Sequence, residues 1–203
     1  ISVVIPLYNE AESLPELFEW IERVMREHHF SHEVIFINDG STDNSWEVIE
    51  QLKQQAPDVV RAVKFRRNYG KSPGLNCGFQ RAKGDVVITM DADLQDDINA
   101  VDEMIEKFDG GCDIVYGVRS ERKTDTFFKK FTAQGYYKLL AMMGVDIVYN
   151  HADYRLMSRR ALQNLESFGE VNLFLRGVVP MIGYKTDKVY YERAERFAGE
   201  SKY

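Results

Sequence analysis

Short apolar runs alternate with helical stretches along the first half of this chain. Runs that read as β-strands cover residues 2–7, 33–38, 59–65 and 85–90, and segments with helical periodicity separate them. Chains with this alternation form parallel sheets, because each crossover helix must pack back on the sheet that its two strands share. The pattern therefore predicts an α/β fold, with a mostly parallel sheet flanked by helices.

The second half of the chain is less regular. It begins after a fifth expected strand, over residues 113–117, which is the last element of the first half. No repeat or low-complexity linker divides the 203 residues, so a single domain over residues 1–203 is expected. The helices expected along the chain cover residues 11–29, 43–55, 71–83, 98–108, 126–143, a stretch from Arg159, and 172–181, and the remaining expected strands cover residues 154–157 and 189–192.

Charge and cysteine content narrow the class of protein. The net charge of −6 argues against a general nucleic-acid binder, because a phosphate backbone requires a basic surface. Cys77 and Cys112 offer no disulfide framework, which favours a reducing compartment. No apolar run is long enough to cross a bilayer, and none reads as a signal peptide. Since the chain starts at Ile1 inside a strand-like run and stops at Tyr203, we expect it to be a piece of a longer protein.

Polar residues follow each of the first four predicted strands, at the point where the strand ends. Asn9 and Glu10 follow the first strand, residues 39–43 the second, residues 66–71 the third and residues 91–95 the fourth. In an open parallel sheet, ligands bind outside the carboxyl ends of the strands. We therefore expect these four loops to line one ligand-binding crevice.

Asp91 and Asp93 stand two residues apart, directly after an apolar strand. Residues two apart in an extended chain point the same way, so both carboxylates can face one cation. Hard oxygen ligands suit Mg²⁺ or Mn²⁺, and Gln95 could add a neutral ligand or orient a water molecule. A solvated acidic loop is the alternative reading of this pair.

The loops after the second and third strands suit a ligand with a base and phosphates. Asp39 can accept a hydrogen bond from the N–H of a base, and Gly40 permits a close approach. The loop over residues 66–71 gathers three cations before a helix, and a helix N-terminus attracts anions. A simple β-to-α connection and a solvated basic loop are the alternative readings of these segments.

These segments together resemble the motifs of family 2 glycosyltransferases. The matching segments are residues 3–10 (VVIPLYNE) for the opening strand, 38–43 (NDGSTD) for the second-strand turn, 67–71 (RNYGK) for the next loop and 91–95 (DADLQ) for the metal motif. Residues 152–157 (ADYRLM) and 196–203 (RFAGESKY) narrow the resemblance to the polyprenyl-phosphate glycosyltransferases. That group contains dolichyl-phosphate mannose synthase and bacterial undecaprenyl-phosphate glucosyltransferases.

The resemblance implies a GT-A fold, inversion at the anomeric carbon and a divalent metal ion, Mg²⁺ or Mn²⁺. A donor-binding half would cover about residues 1–117 and an acceptor half about residues 118–203. The implied donor contacts are Pro6, Tyr8, Glu10, Asp39, Asn68, Lys71, Asp91 and Ala92, and the implied metal ligands are Asp91, Asp93 and Gln95. The implied acceptor-phosphate contacts are Arg119 and Lys130, while Arg196, Ser201 and Lys202 would close over the site.

The chemistry of the acceptor stays open at this point. A phosphomonoester is mostly ionised at neutral pH and needs cations to hold it, which the basic residues after the fifth strand could supply. A hydroxyl acceptor needs a general base, for which Asp153 is the candidate catalytic residue beside Asp91 and Asp93. Pairing of Asp153 with Arg155 is the alternative reading of that aspartate.

The leading hypothesis is an inverting glycosyltransferase that moves a sugar from a nucleotide-sugar, a UDP-sugar before GDP-mannose, to undecaprenyl phosphate. The alternatives are a family 2 glycosyltransferase acting on a hydroxyl of a glycan or lipid, and a non-catalytic nucleotide-sugar-binding protein. A polyprenyl tail stays in the bilayer, so the expected partners are the donor, the acceptor and the membrane, without nucleic acid. By the same resemblance, transmembrane helices would follow residue 203 and anchor a cytoplasmic catalytic domain. A homo-oligomer stays open.

Overall fold

One sheet of seven strands organises the residues that the computed structural model describes, which are 1–120, 151–167 and 175–194. The strands are β1 (Ser2–Leu7), β2 (Glu33–Asn38), β3 (Val60–Lys64), β4 (Val86–Thr89), β5 (Ile114–Arg119), β6 (His151–Ser158) and β7 (Thr186–Tyr191). The helices are α1 (Leu14–Glu27), α2 (Ser45–Gln55), α3 (Lys71–Phe79), α4 (Ala100–Asp109), α5 (Arg159–Glu166) and α6 (Leu175–Met181).

The strands lie in the order β3-β2-β1-β4-β6-β5-β7. Every neighbouring pair is parallel except for β6, which runs antiparallel to β4 on one side and to β5 on the other. The carboxyl ends of the six parallel strands and the amino end of β6 therefore meet at one edge of the sheet. This arrangement confirms the expected mostly parallel sheet and the expected convergence of loops at its carboxyl edge.

Alternating side chains of the strands form two separate cores. Val3 and Ile5 face a core that is covered by α1, α2 and α4, whereas Val4 faces the core under α3, α5 and α6. Helix α3 packs directly on β1 because it carries Gly78 at the contact. A Cβ atom on Gly78 would lie only 2.2 Å from Cγ1 of Val4. The two-residue period of the strands thus places α1 on one face of the sheet and α3 on the other.

Several element boundaries differ from those expected. Helix α1 begins at Leu14 rather than residue 11, and Ser13 before it donates a 2.6 Å hydrogen bond to the Ala92 carbonyl. Strand β6 extends beyond residues 154–157 because it pairs with β4 and β5 along both of its edges. Strand β7 begins at Thr186, not 189, since its ladder with β5 starts there. The helix expected over residues 126–143 lies outside the described residues.

No helix within the described residues is long and apolar enough to span a membrane.

Candidate active site

The loops after β1 and β2 are joined into one unit by hydrogen bonds. The backbone N–H of Asn9 donates to Oγ of Ser41 at 2.9 Å, and its side-chain Oδ1 accepts from the N–H of Thr42 at 2.7 Å. The N–H of Ala11 donates to the Asp43 carboxylate at 3.2 Å. Asn9 adopts a φ of 55°, a conformation that asparagine tolerates better than most residues. One wall of the crevice is therefore built from both loops together.

Asp39 joins the loop after β2 to the loop after β3. Its buried carboxylate accepts the backbone N–H of Tyr69 at 2.7 Å and of Gly70 at 2.9 Å. Gly40 has a φ of +71°, and a Cβ atom there would lie 2.4 Å from the backbone carbon of Arg67. The close approach expected at Gly40 is thus made by the protein's own backbone. Contact between Asp39 and a base stays a prediction.

Lys71, the first residue of α3, brings together carboxylates from two strands. Its ammonium contacts Oδ1 of Asp91 at the end of β4 and lies 2.8 Å from Oδ2 of Asp153 in β6. Burial alone would lower the pKa of Lys71, but the two carboxylates raise it above its ordinary value. The lysine therefore stays charged between the two carboxylates.

The loop that follows β4 holds the acidic pair in a tight turn. Leu94 has a φ of 59°, which is uncommon for a leucine and marks a sharp reversal of the chain. Asp93 accepts the N–H of Gln95 at 3.3 Å, and the Asp91 side chain keeps a quarter of its surface exposed. Within the described residues no group of three or more potential acidic, cysteine or histidine ligands surrounds a metal site. Two carboxylates nevertheless fit Mg²⁺ or Mn²⁺, since Mg²⁺ is usually bound by one or two carboxylates plus substrate phosphates.

Gln95 connects the acidic loop to the segment after β7. Its amide oxygen accepts from the guanidinium of Arg193, and its amide nitrogen donates to the carbonyl of Ala194 at 3.4 Å. The backbone N–H of Ala194 returns a 3.2 Å bond to the carbonyl of Gln95. A contact between Gln95 and a metal ion stays a prediction, as it does for Asp91 and Asp93.

Arg119, an expected acceptor contact, lies at the end of β5 beside the acidic loop. Its guanidinium is 3.5 Å from Oδ1 of Asp96 and donates to the Tyr191 hydroxyl at 3.2 Å. The Tyr191 hydroxyl in turn donates to Asp96. Burial, followed by the charge of Asp96, raises the pKa of Tyr191, so its hydroxyl remains protonated as a donor. Sequence reasoning missed Asp96 and Tyr191, because a polar loop residue and a strand-end tyrosine carry no local sign of burial.

Asp153 shows the pairing that was the alternative to a catalytic role. Its Oδ1 accepts from the guanidinium of Arg155 at 2.7 Å, and its Oδ2 faces Lys71. The backbone carbonyl of Asp153 accepts the hydroxyl of Thr89. The Arg155 side chain is 1 % exposed, and this carboxylate helps to compensate its buried charge. Each oxygen of Asp153 therefore has a cationic partner within the site.

The other expected site residues are partly accounted for. Pro6 and Tyr8 lie at the end of β1, and the backbone N–H of Glu10 donates to Oγ of Ser45 at 3.0 Å. Asn68 is exposed, and its side chain accepts the N–H of Gly70 at 3.0 Å. The structure thus brings the expected donor contacts to the carboxyl edge of the sheet. Lys130, Arg196, Ser201 and Lys202 lie outside the described residues.

Comparison with protein families and curated proteins gives consistent matches. A family model described as "Glycosyl transferase family 2" matches residues 2–166. Over its whole length, the chain is 44 % identical to "Uncharacterized glycosyltransferase YkoT" of Bacillus subtilis (strain 168) and 41 % identical to "Bactoprenol glucosyl transferase" of Shigella phage SfV. It covers 62 % of the first protein and 66 % of the second. The chain therefore spans less than two thirds of the length of these relatives.

Solved structures share the fold at much lower identity. A mannosyltransferase from Pyrobaculum calidifontis in complex with GDP-Man and Mn²⁺ has a TM-score of 0.65 at 19 % identity, over 97 % of this chain and 56 % of that one. Glucosyl-3-phosphoglycerate synthase from Mycobacterium tuberculosis, in complex with Mn²⁺, UDP-Glc and phosphoglyceric acid, has a TM-score of 0.62 at 18 % identity, over 98 % and 72 %. These similarities confirm the expected GT-A fold.

Proposed function

The chain belongs to glycosyl transferase family 2, and on that premise we propose that it transfers a sugar from a nucleotide-sugar to a polyprenyl phosphate at a membrane surface. A relative that is 41 % identical over the whole of this chain is named a bactoprenol glucosyl transferase, and bactoprenol is a polyprenol. That identity reaches beyond the part of the chain matched by the family model, which ends at residue 166. It therefore supports the acceptor half as well as the donor half.

The single observation that carries the proposal is the joint position of an acidic and a basic group at one edge of the sheet. Asp91 and Asp93 follow β4, while the guanidinium of Arg119 at the end of β5 lies 3.5 Å from Asp96 on the same acidic loop. A donor diphosphate at the acidic pair and an acceptor phosphate at Arg119 would then lie beside the same loop. Such proximity is what a one-step displacement requires.

On the donor side, Lys71 and the acidic pair would hold the diphosphate. The ammonium of Lys71 lies between Asp91 and Asp153 and is a charge-assisted donor for a phosphate oxygen. The chemistry that Mg²⁺ or Mn²⁺ supplies when bound at Asp91 and Asp93 is neutralisation of charge on the leaving diphosphate, an effect worth several kcal/mol. A UDP-sugar is the favoured donor, ahead of a GDP-sugar.

On the acceptor side, the nucleophile would be a phosphate oxygen that needs no base. Its attack forms the new bond to the anomeric carbon while the bond from that carbon to the nucleoside diphosphate breaks, with inversion of configuration. A phosphomonoester is mostly ionised at neutral pH because its second pKa is about 6. The protein must therefore orient this oxygen and balance its charge, and the partly exposed Arg119 can do both.

The contacts of Asp153 favour this acceptor over a hydroxyl. A general base needs a carboxylate oxygen within reach of the acceptor proton. Both oxygens of Asp153 are instead engaged, one by Arg155 at 2.7 Å and the other by Lys71 at 2.8 Å. Asp153 then acts as the group that positions Lys71. Because the acceptor's prenyl chain remains in the lipid, we also propose that the protein works at the cytoplasmic face of a membrane to which it is anchored.

A transfer assay tests the proposal. The chain would be incubated with Mn²⁺, undecaprenyl phosphate and labelled UDP-glucose, UDP-N-acetylglucosamine or GDP-mannose, and lipid-linked label would be measured. We expect label in the lipid phase with a UDP-sugar, and loss of that label by at least about a hundredfold in Asp93→Asn. Asp109→Asn, at an exposed site on α4, is the matched control. Wild-type turnover of the donor without lipid-linked product would rule out the proposed acceptor.

A further inference from the structure

Asp96 is a buried carboxylate at the centre of the acidic loop. Its side chain is 1 % exposed, although it lies only five residues from the partly exposed Asp91. Burial, together with the charge of Asp91, raises the pKa of Asp96. A buried carboxylate is costly unless donors surround it, so its partners indicate what it does.

The donors around Asp96 come from three different elements. Its Oδ2 accepts the backbone N–H of Asp91 at 3.3 Å, within the acidic loop. Its Oδ1 accepts the hydroxyl of Tyr191 at the end of β7 and lies 3.5 Å from the guanidinium of Arg119 at the end of β5. One side chain thus connects the backbone of a proposed metal ligand to the side chain of a proposed acceptor contact.

Tyr191 completes the connection because its hydroxyl has two partners. It donates to Asp96 and accepts from Nε of Arg119 at 3.2 Å. The ring itself is fixed by the core, since it packs edge-on against Tyr154 with the ring centroids 5.4 Å apart. The hydroxyl therefore presents a rigid acceptor to the guanidinium, and it limits the directions in which Arg119 can point.

We infer that Asp96 and Tyr191 are positioning residues, which hold Arg119 at the crevice and fix its place relative to Asp91. The inference rests on the proposed function, in which Arg119 binds the acceptor phosphate. Neither residue touches the reacting atoms. They would keep Arg119, which binds the acceptor phosphate, in a fixed position relative to Asp91 and Asp93, which bind the donor diphosphate. The two phosphate groups would then always meet in the same geometry.

A double-mutant cycle on acceptor binding tests this inference. The dissociation constant of farnesyl phosphate, a short soluble prenyl phosphate, would be measured by calorimetry with Mn²⁺ and UDP present. Wild type, Tyr191→Phe, Arg119→Gln and the double variant would be compared, with melting temperatures to verify folding. Tyr190→Phe is the matched control, because the neighbouring tyrosine is 66 % exposed.

We expect Tyr191→Phe to weaken farnesyl phosphate binding by about fivefold or more, and to have almost no effect once Arg119 is already glutamine. The Tyr190→Phe control should bind like wild type. A second variant, Asp96→Asn, should weaken the binding of both farnesyl phosphate and UDP with Mn²⁺, whereas Tyr191→Phe should weaken only the former.

Two results would overturn the inference while leaving the proposed function intact. One is wild-type affinity for farnesyl phosphate in Tyr191→Phe, and the other is an equal loss from Tyr191→Phe with and without Arg119, which indicates a merely structural role. If wild type itself fails to bind farnesyl phosphate, the proposed acceptor is wrong, and so is the proposed role of Arg119.

Discussion

At the scale of single residues, the positive charge of Lys71 is central to the electrostatics of the crevice. Its ammonium neutralises part of the charge of Asp91 and Asp153, two carboxylates that would otherwise repel each other across the end of the sheet. A divalent cation that binds at Asp91 must share that carboxylate with Lys71. The metal and the diphosphate should therefore bind best together, because the diphosphate can take over the ammonium.

The first prediction concerns Lys71→Gln. Without the ammonium, the free chain should bind Mn²⁺ about three- to tenfold more tightly, because a cation that repels the metal has gone. The Michaelis constant for the nucleotide-sugar should rise at the same time, since a phosphate contact is lost. Free Mn²⁺ measured by electron paramagnetic resonance gives the first quantity, and Lys83→Gln at an exposed site is the control. Equal Mn²⁺ affinity in the two variants would contradict the competition.

Asp153→Asn separates a positioning role from a basic one. Removing a general base typically costs about 10²- to 10⁴-fold in rate. If Asp153 only holds Lys71 and Arg155, kcat should fall by less than about tenfold. The free energy of unfolding should drop by about 3–5 kcal/mol, because the buried Arg155 loses a charged partner. Single-turnover rates and urea unfolding give the two values. A stable variant with kcat reduced by a thousandfold or so would restore Asp153 as the base.

At the scale of elements, the crevice depends on loops that lock each other. The loop after β1 bonds to the loop after β2 through Asn9, and the loop after β2 bonds to the loop after β3 through Asp39. On the other side of the site, Tyr191 at the end of β7 and Arg193 just after it contact the acidic loop. A change in one loop should therefore alter substrate binding in another.

Gly40→Ala tests the contact between two of these loops. A left-handed alanine costs about 1–2 kcal/mol by itself, and Gly183 provides that cost alone, with a φ of +77° and nothing within 4 Å of a Cβ atom. At Gly40 a Cβ atom would also lie 2.4 Å from the backbone of Arg67. Urea unfolding should therefore show a loss of at least about 2 kcal/mol more for Gly40→Ala than for Gly183→Ala. Equal losses of unfolding free energy in the two variants would mean that the loops can move apart without a measurable cost.

Local sequence pattern was enough to predict the acidic pair but not its surroundings. Asp91 and Asp93 could be found because an apolar run ends directly before them. Asp96 carries no such signal, since one of its hydrogen-bond partners is Tyr191, which lies 95 residues away. The antiparallel direction of β6 depends in the same way on its ladders with β4 and β5, which no local pattern specifies. The strand core of the fold was therefore predictable, whereas the contacts between distant segments were not.

At the scale of the whole molecule, the two edges of the sheet have different tasks. The proposed active site lies at the carboxyl edge, while a carboxylate at the opposite edge stabilises the fold. Asp113 before β5 accepts from the Ser158 hydroxyl at 2.8 Å and from the guanidinium of Arg160 at 2.6 Å. These hydrogen bonds, that of Arg160 above all, lower the pKa of Asp113 although burial opposes them.

The lowered pKa of Asp113 predicts how stability depends on pH. A carboxyl group with a lower pKa in the folded state stabilises the fold above its unfolded pKa, and that contribution is lost as the pH falls through the folded value. The free energy of unfolding should therefore fall below about pH 4 in wild type, and it should fall less steeply in Asp113→Asn. Urea unfolding between about pH 3 and pH 6 measures both slopes. A variant as acid-sensitive as wild type would exclude Asp113 as a cause, and Asp109→Asn serves as the exposed control.

The most direct test of the central claim is a crystal structure of this chain with Mn²⁺ and UDP bound. The claim is that the donor diphosphate is held at the carboxyl edge of the sheet, by a divalent ion on Asp91 and Asp93. We expect Mn²⁺ in direct contact with both carboxylates and with the diphosphate, and the ammonium of Lys71 turned from Asp91 towards a phosphate oxygen. An ion and a nucleotide bound at any other place, with Lys71 still on Asp91, would contradict the claim.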